Sequence, residues 1–202
     1  DGEPAKALDI GERSTQWLTS RVTREAIEGL AGRRILLHAA GLSTDDGRVL
    51  VLVGPSGTGK TTACLEFCRS TFGYATDETV AIDENLGVVA YPKPLLLRRA
   101  QAVPKDVVGP GDLGLVSHPD RLTAHRIVVL RRDGTRPASL EQEPLIEGLL
   151  AVVPETSALA RMSHPLSVLA RTVEACGGVH TLHYTEIAEA RELLVGLMNG
   201  DA

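Results

Sequence analysis

Apolar residues at Leu18, Val22, Ala26 and Leu30 recur every four positions. That spacing puts them on one face of a helix, so Glu12 to Leu30 is predicted as an amphipathic helix closed by Gly32. The pattern then shortens into apolar runs. Ile35 to Ala39 and Val49 to Val53 predict buried strands, separated by a turn at Ser43-Thr-Asp-Asp-Gly47. Helix periodicity returns over Thr61 to Arg69. Short strands are then predicted at Phe72 to Ala75, Thr79 to Ile82, Val88 to Tyr91 and Leu95 to Leu97, with a hairpin loop at Asp83 to Gly87. Pro92, Pro94, Pro104, Pro110 and several glycines predict a long mobile loop over 98–120.

Further on, Ile127 to Leu130 reads as another buried strand. Ser139-Leu-Glu-Gln142 has capping-box spacing ahead of a helix through Pro144 to Val152. A helix over Leu166 to Ala175 ends at Gly177-Gly178, a last strand runs from Val179 to Tyr184, and Thr185 is expected to cap a terminal helix through Met198. The alternation predicts an α/β fold. Its sheet should be mixed and flanked by helices, because the strands after the second helix lie too close in sequence for helical crossovers. The whole of 1–202 is expected to form one domain, with 1–11 a loose polar tail.

Composition narrows the classes of function. With 43% hydrophobic and 23% charged residues the chain can bury a full core. Aromatics are only 3%, so aliphatic side chains must fill the interior. A net charge of -5 argues against sequence-independent nucleic-acid binding, which needs a basic excess. The pairs Arg33-Arg34, Arg98-Arg99 and Arg131-Arg132 read as solvated element ends. No apolar run approaches the roughly 20 residues of a membrane span, so no membrane partner is expected. Cys64, Cys68 and Cys176 contain no C-x-x-C pair, which favours a reducing, cytoplasmic setting and buried thiols over disulfides. The chain begins at Asp1, not methionine, so it is read as trimmed, processed or partial, and no targeting segment is inferred.

The chemistry concentrates after the Val49 to Val53 strand. Gly54-Pro55-Ser56-Gly57-Thr58-Gly59-Lys60-Thr61 matches G-x-x-x-x-G-K-[ST], with Thr62 following, and reads as a P-loop. The glycines let successive backbone N–H groups curl round phosphate oxygens without a Cβ in the way. Lys60 would reach the β- and γ-phosphates, and the Thr61 hydroxyl would ligate Mg²⁺. A glycine-rich hairpin turn is the plain alternative, disfavoured by the apolar run before the loop and the helical periodicity after it. Phosphoryl transfer also needs a metal-binding carboxylate and, in a kinase, a base. Asp77-Glu78, Asp83-Glu84 and Asp133 each follow a predicted strand, and Asp77-Glu78 is the best placed. His38 on the strand before the loop is by default a satisfied core residue. His180 and His183 are expected on opposite faces of their strand.

These residues together are similar to the HPr kinase-related family. The resemblance rests on Leu37-His-Ala-Ala40, the loop at 54–62, Gly73-Tyr-Ala-Thr-Asp-Glu-Thr-Val80 and Tyr91-Pro-Lys-Pro-Leu95. The loop wording also resembles phosphoenolpyruvate carboxykinase, which implies a similar nucleotide-binding architecture. The resemblance covers roughly residues 35–98. It implies ATP and Mg²⁺ as cofactors, and Asp77 as the acid that activates a seryl or other hydroxyl. It further implies Glu78 as a metal ligand with Thr61, Lys60 as the group neutralising the transferring phosphate, and His38 near that phosphate. Glu78 stands where the family usually has aspartate, and the family's Glu-x-Arg-Gly segment is not found, so the reverse phosphorolysis is not implied. The expected function is an ATP-dependent kinase acting on a hydroxyl-bearing protein, peptide or small molecule, with homo-oligomerisation implied by the resemblance alone. Lys93 and Arg98 are candidates for contacting acceptor or phosphate, with exposed surface charge as the default. The alternatives are a nucleotide-binding regulatory domain without turnover and a mechanochemical ATPase using Asp83-Glu84.

Overall fold

Six strands form a mixed sheet through the middle of the protein, in a computed structural model that describes residues 10–97, 106–134 and 137–201. In chain order the first elements are helix α1 (Ile10–Leu30), β1 (Ile35–Leu37), β2 (Ala39–Ser43), β3 (Arg48–Val53), α2 (Lys60–Phe67) and β4 (Gly73–Thr76). Short strands follow at β5 (Val80–Ile82), β6 (Val88–Val89), β7 (Leu95–Leu97) and β8 (Asp106–Val108). The C-terminal part holds β9 (Thr123–Arg132), β10 (Ser139–Glu143), α3 (Leu145–Val152), β11 (Thr156–Ser157), α4 (Pro165–Ala175), β12 (Val179–Tyr184) and α5 (Arg191–Asn199).

The large sheet has the order β10-β12-β9-β3-β2-β4. Its β12–β9 and β9–β3 pairs are parallel and its other pairs antiparallel, giving the mixed α/β arrangement. The centre of the sheet is buried on both faces, which is why β3 and β9 read as continuous apolar runs. Successive side chains point to opposite faces. Leu50, Leu52, Val128 and Leu130 therefore join Ala63 and Phe67 of α2 and Leu194 and Met198 of α5 in one core. Val49, Val51, Val53, Ile127 and Val129 join Val152 of α3, Leu169 and Val173 of α4, and a smaller sheet in another. Each such aliphatic side chain contributes about 1.5–3 kcal/mol by leaving water.

The smaller sheet, β11-β1-β5-β6, explains where the first apolar run departs from expectation. Ile35 to Ala39 is not one strand. The chain changes sheets at His38, with β1 pairing β5 and β11 on one side and β2 pairing β3 and β4 on the other. The His38 amide donates to the Glu155 carbonyl at 2.7 Å and the Ala39 amide to the Glu78 carbonyl at 3.2 Å, so the break is hydrogen-bonded throughout. The Asp83 to Gly87 hairpin forms as expected, with Ala81 opposite Val89 and Ile82 opposite Val88.

Several expectations are corrected. Within 98–120, residues 98–105 lie outside the described part, but 106–108 pair with β7 and 111–113 make a turn of 3-10 helix. Ile10 and Gly11 already belong to α1, and the rest of the expected tail lies outside the description. Ser139 caps no helix. Ser139 to Glu143 pair antiparallel along the β12 edge, and the helix begins only after Pro144, which favours an extended Glu143 before it. Gly148 lets α3 lie close on β12, where a Cβ would stand 2.8 Å from the Val179 Cβ. Thr185 caps nothing either: a 3-10 turn over Ile187–Ala190 leads into α5.

Candidate active site

The site grows from the end of β3, where the chain leaves the sheet at Gly54 and enters α2 at Lys60. Gly57 and Gly59 have φ of 92° and 98°, the left-handed region that side chains with a Cβ avoid. A Cβ on Gly59 would also stand 3.0 Å from the Tyr184 hydroxyl, which donates to the Thr58 carbonyl. Thr58 closes the turn on itself, with its hydroxyl 2.8 Å and its amide 3.3 Å from the Pro55 carbonyl. The amides of Gly57, Gly59, Lys60 and Thr61 donate to no protein acceptor among the described residues. All four residues line one cavity of about 510 Å³, in the usual range for a small-molecule site.

Lys60 is only 6% exposed. Its ammonium donates to the Gly54 and Pro55 carbonyls, the latter at 3.0 Å. Burial pulls its pKa below the ordinary lysine value, against the opposing pull of Glu155, Asp77 and Glu78. Across the cavity β4 ends at Thr76 and presents Asp77, which is 7% exposed. Asp77 Oδ2 accepts the Thr61 hydroxyl at 2.9 Å, and Oδ1 accepts the Tyr74 hydroxyl at 3.1 Å. The Lys93 ammonium lies 3.0 Å from Asp77 Oδ1 and 3.1 Å from Glu78 Oε2, and donates to the Pro94 carbonyl at 3.3 Å. Burial alone would lower the Lys93 pKa, but Asp77 and Glu78 together outweigh it and hold the ammonium charged. Burial, and then the Asp77 charge, push the Tyr74 phenol far up, so it stays a donor.

His38 borders the same cavity, its Nδ1 hydrogen donated to the Glu78 carbonyl at 3.1 Å. Burial, followed by the Lys60 charge, lowers its pKa, so the ring is neutral at pH 7 with Nε2 left as an acceptor. The expected residues His38, Ser56, Gly57, Gly59, Lys60, Thr61, Thr62, Asp77 and Glu78 thus line one space. Gly54, Pro55 and Thr58 lie behind it, holding Lys60 and the turn.

The competing acids are elsewhere. Asp83 Oδ1 accepts the amides of Asn85 at 2.9 Å and Gly87 at 2.8 Å, and Oδ2 meets Arg34 at 3.1 Å. Asp83 and Glu84 border a different groove, of about 1070 Å³, between the end of α1 and α4. Asp133 meets His183 Nδ1 at 2.9 Å.

Lys93 corrects the default of a surface charge: it is 6% exposed and joins both acids. Glu155 and Tyr74 were missed altogether. Glu155 acts on Lys60 and His38 through its charge, and nothing in the spacing of the sequence ties it to either. For Lys93 the signal was the flanking Pro92 and Pro94, which restrict the backbone that carries it. Arg98 lies outside the described residues. Among the described residues no group of three or more His, Cys, Asp or Glu is placed to hold a metal on its own, and no helix is long and apolar enough to cross a membrane. No protein-family model matches the sequence, and no curated protein matches it.

Proposed function

We infer that this chain is an ATP-dependent kinase of the HPr kinase-related type, moving the γ-phosphoryl group of ATP to a seryl, threonyl or other hydroxyl acceptor. The finer fold reading, a P-loop nucleotide-binding core resembling that of phosphoenolpyruvate carboxykinase, belongs to the same proposal. It is supported by the strand, glycine turn and helix order beside the parallel β9 strand. The observation that carries the function is the hydrogen bond between Thr61 and Asp77, which joins the start of α2 to the acid at the end of β4 within reach of Lys60's charge.

The residues fit Mg²⁺ and ATP. The undonated amides of Gly57, Gly59, Lys60 and Thr61, at the positive end of α2, suit phosphate oxygens. Thr61 and Glu78, with Asp77 beside them, offer the hard oxygen ligands that Mg²⁺ takes along with phosphate oxygens. A bound Mg²⁺ would supply charge neutralisation across the β- and γ-phosphates. The protein's own part is then positioning and electrostatics. Lys60, already held at the turn, moves its ammonium from the Gly54 and Pro55 carbonyls to the phosphate. The acceptor oxygen attacks the γ-phosphorus, the bond to the β-bridging oxygen breaks, ADP leaves, and the acceptor proton passes to Asp77. Neutral His38 can accept a hydrogen bond from the acceptor through Nε2.

A nucleotide-binding regulatory domain without turnover is the second reading. It is favoured by the engagement of both Asp77 oxygens, which leaves neither open to an acceptor hydroxyl unless one partner moves. The ATPase reading has less support, since Asp83 and Glu84 border another groove. The test is incubation with γ-labelled ATP and Mg²⁺ against seryl and threonyl peptides, with nucleotide binding measured in parallel. Label transferred by the wild type and lost in Asp77→Asn supports the kinase. Binding that depends on Lys60 without any transfer supports the regulatory domain.

A further inference from the structure

Lys93 sits where its charge has an unusual geometry. One ammonium bridges Asp77 Oδ1 at 3.0 Å and Glu78 Oε2 at 3.1 Å, with the Pro94 carbonyl as a third oxygen at 3.3 Å. The Lys93 and Asp77 side chains are each only 4% exposed, so the pair is desolvated. Two carboxylate oxygens and a carbonyl converging on one point are the ligand set of a hard divalent cation as well as of an ammonium. The Asp77 oxygen used by Lys93 also accepts the Tyr74 hydroxyl, while the other accepts Thr61. Asp77 therefore has little capacity left for an acceptor proton while Lys93 is in place.

We propose that Lys93 is a built-in competitor for the divalent cation: its ammonium and the metal take the same oxygens of Asp77 and Glu78 and exclude one another. The inference rests on the kinase reading for the identity of the site. Lys93 holds the adjacent carboxylates converged on one point, so metal entry exchanges one cation for another without assembling the site anew. The backbone need not move for this, since the Tyr91 amide is bonded to the Ala75 carbonyl at 3.0 Å and the Lys93 amide to the Tyr91 carbonyl at 2.8 Å. The flexible lysine stem alone carries the ammonium out, toward the cavity that Lys93 itself lines.

The experiment is a titration of the full chain with Mn²⁺, followed by the electron-spin resonance of free Mn²⁺, without nucleotide or acceptor. Lys93→Met should bind Mn²⁺ about tenfold or more tightly than wild type, within the range typical of coupled sites. Equal or weaker binding by a folded Lys93→Met overturns the proposal. Because that variant leaves two acids without their shared counter-charge, the wild type is also pulse-acetylated and mapped by mass spectrometry. Lys93 labelling should rise several-fold with saturating Mn²⁺, and unchanged protection overturns the proposal. Neither measurement uses phosphotransfer, so a chain that exchanges Lys93 for Mn²⁺ yet moves no phosphate sinks the kinase reading and leaves this inference intact.

Discussion

Two Asp-Glu pairs lie six positions apart in this chain, each directly or shortly after a strand, and the protein treats them oppositely. Asp77-Glu78 ends a strand of the large sheet and is enclosed by Thr61, Tyr74 and Lys93. Asp83-Glu84 ends a strand of the small sheet inside a hairpin, where Asp83 spends its oxygens on the turn's own amides and on Arg34. In the first pair Asp77 is buried among side chains brought from distant elements, and Glu78, 35% exposed, shares Lys93 with it at the edge of the cavity. In the second, Asp83 is half-buried and shapes its own loop, and Glu84 is exposed. An acidic dipeptide acquires chemistry from its surroundings, not from its spelling.

The contrast breaks most sharply in activity. Asp77→Asn is expected to lower phosphotransfer about 10²–10⁴-fold, the usual worth of a positioned base, while Glu84→Gln leaves it unchanged in the same labelled-ATP assay. Equal losses in both variants would erase the distinction. Stability gives the next largest difference. Lys93→Met breaks a buried ion pair and should cost about 3–5 kcal/mol in urea unfolding. Arg34→Met breaks a partly exposed one, with side chains 25% and 31% exposed, and should cost about 0–1 kcal/mol.

The smallest effect is one of pH. Burial pushes the Asp83 carboxyl up, but the Gly87 and Asn85 amides and Arg34 together outweigh it and hold its pKa below the ordinary value. The folded protein thus binds this proton less readily than the unfolded chain. Its stabilising contribution is full above the unfolded value of about 3.9 and fades as pH falls through the lower folded value. Wild type should therefore lose more stability than Asp83→Asn between pH 5 and pH 3, read as urea midpoints, and parallel curves would contradict it.

Much of the framework was legible in the residues. The β3 strand, the glycine turn and α2 follow from an apolar run, a spacing of glycines and a change of period, all local signals. The 83–87 hairpin and the β12 strand were equally plain. What escaped were features decided by distant partners. No local signal tells an apolar run that it must change sheets at His38, because the choice depends on whether β5 or β3 lies alongside. Ser139 to Glu143 has the spacing of a cap, yet an open edge of β12 recruits it as a strand, since unpaired edge amides there gain partners. Lys93 looked like a solvated charge because burial of an ion is favoured only when opposite charges meet it, and those come from residues 77 and 78.

The amino-acid sequence by itself determined the α/β alternation, the buried central strands and the glycine turn with Lys60 and Thr61, since each depends on neighbours within a few residues. Only the tertiary structure decided that Asp77 faces Thr61, that Lys93 bridges the two acids, and that Asp83 is kept apart. Those outcomes depend on which strands pair and how far each ion is withdrawn from water. Pairing and desolvation are properties of the packed sheet, set by chain segments that meet only once it has formed.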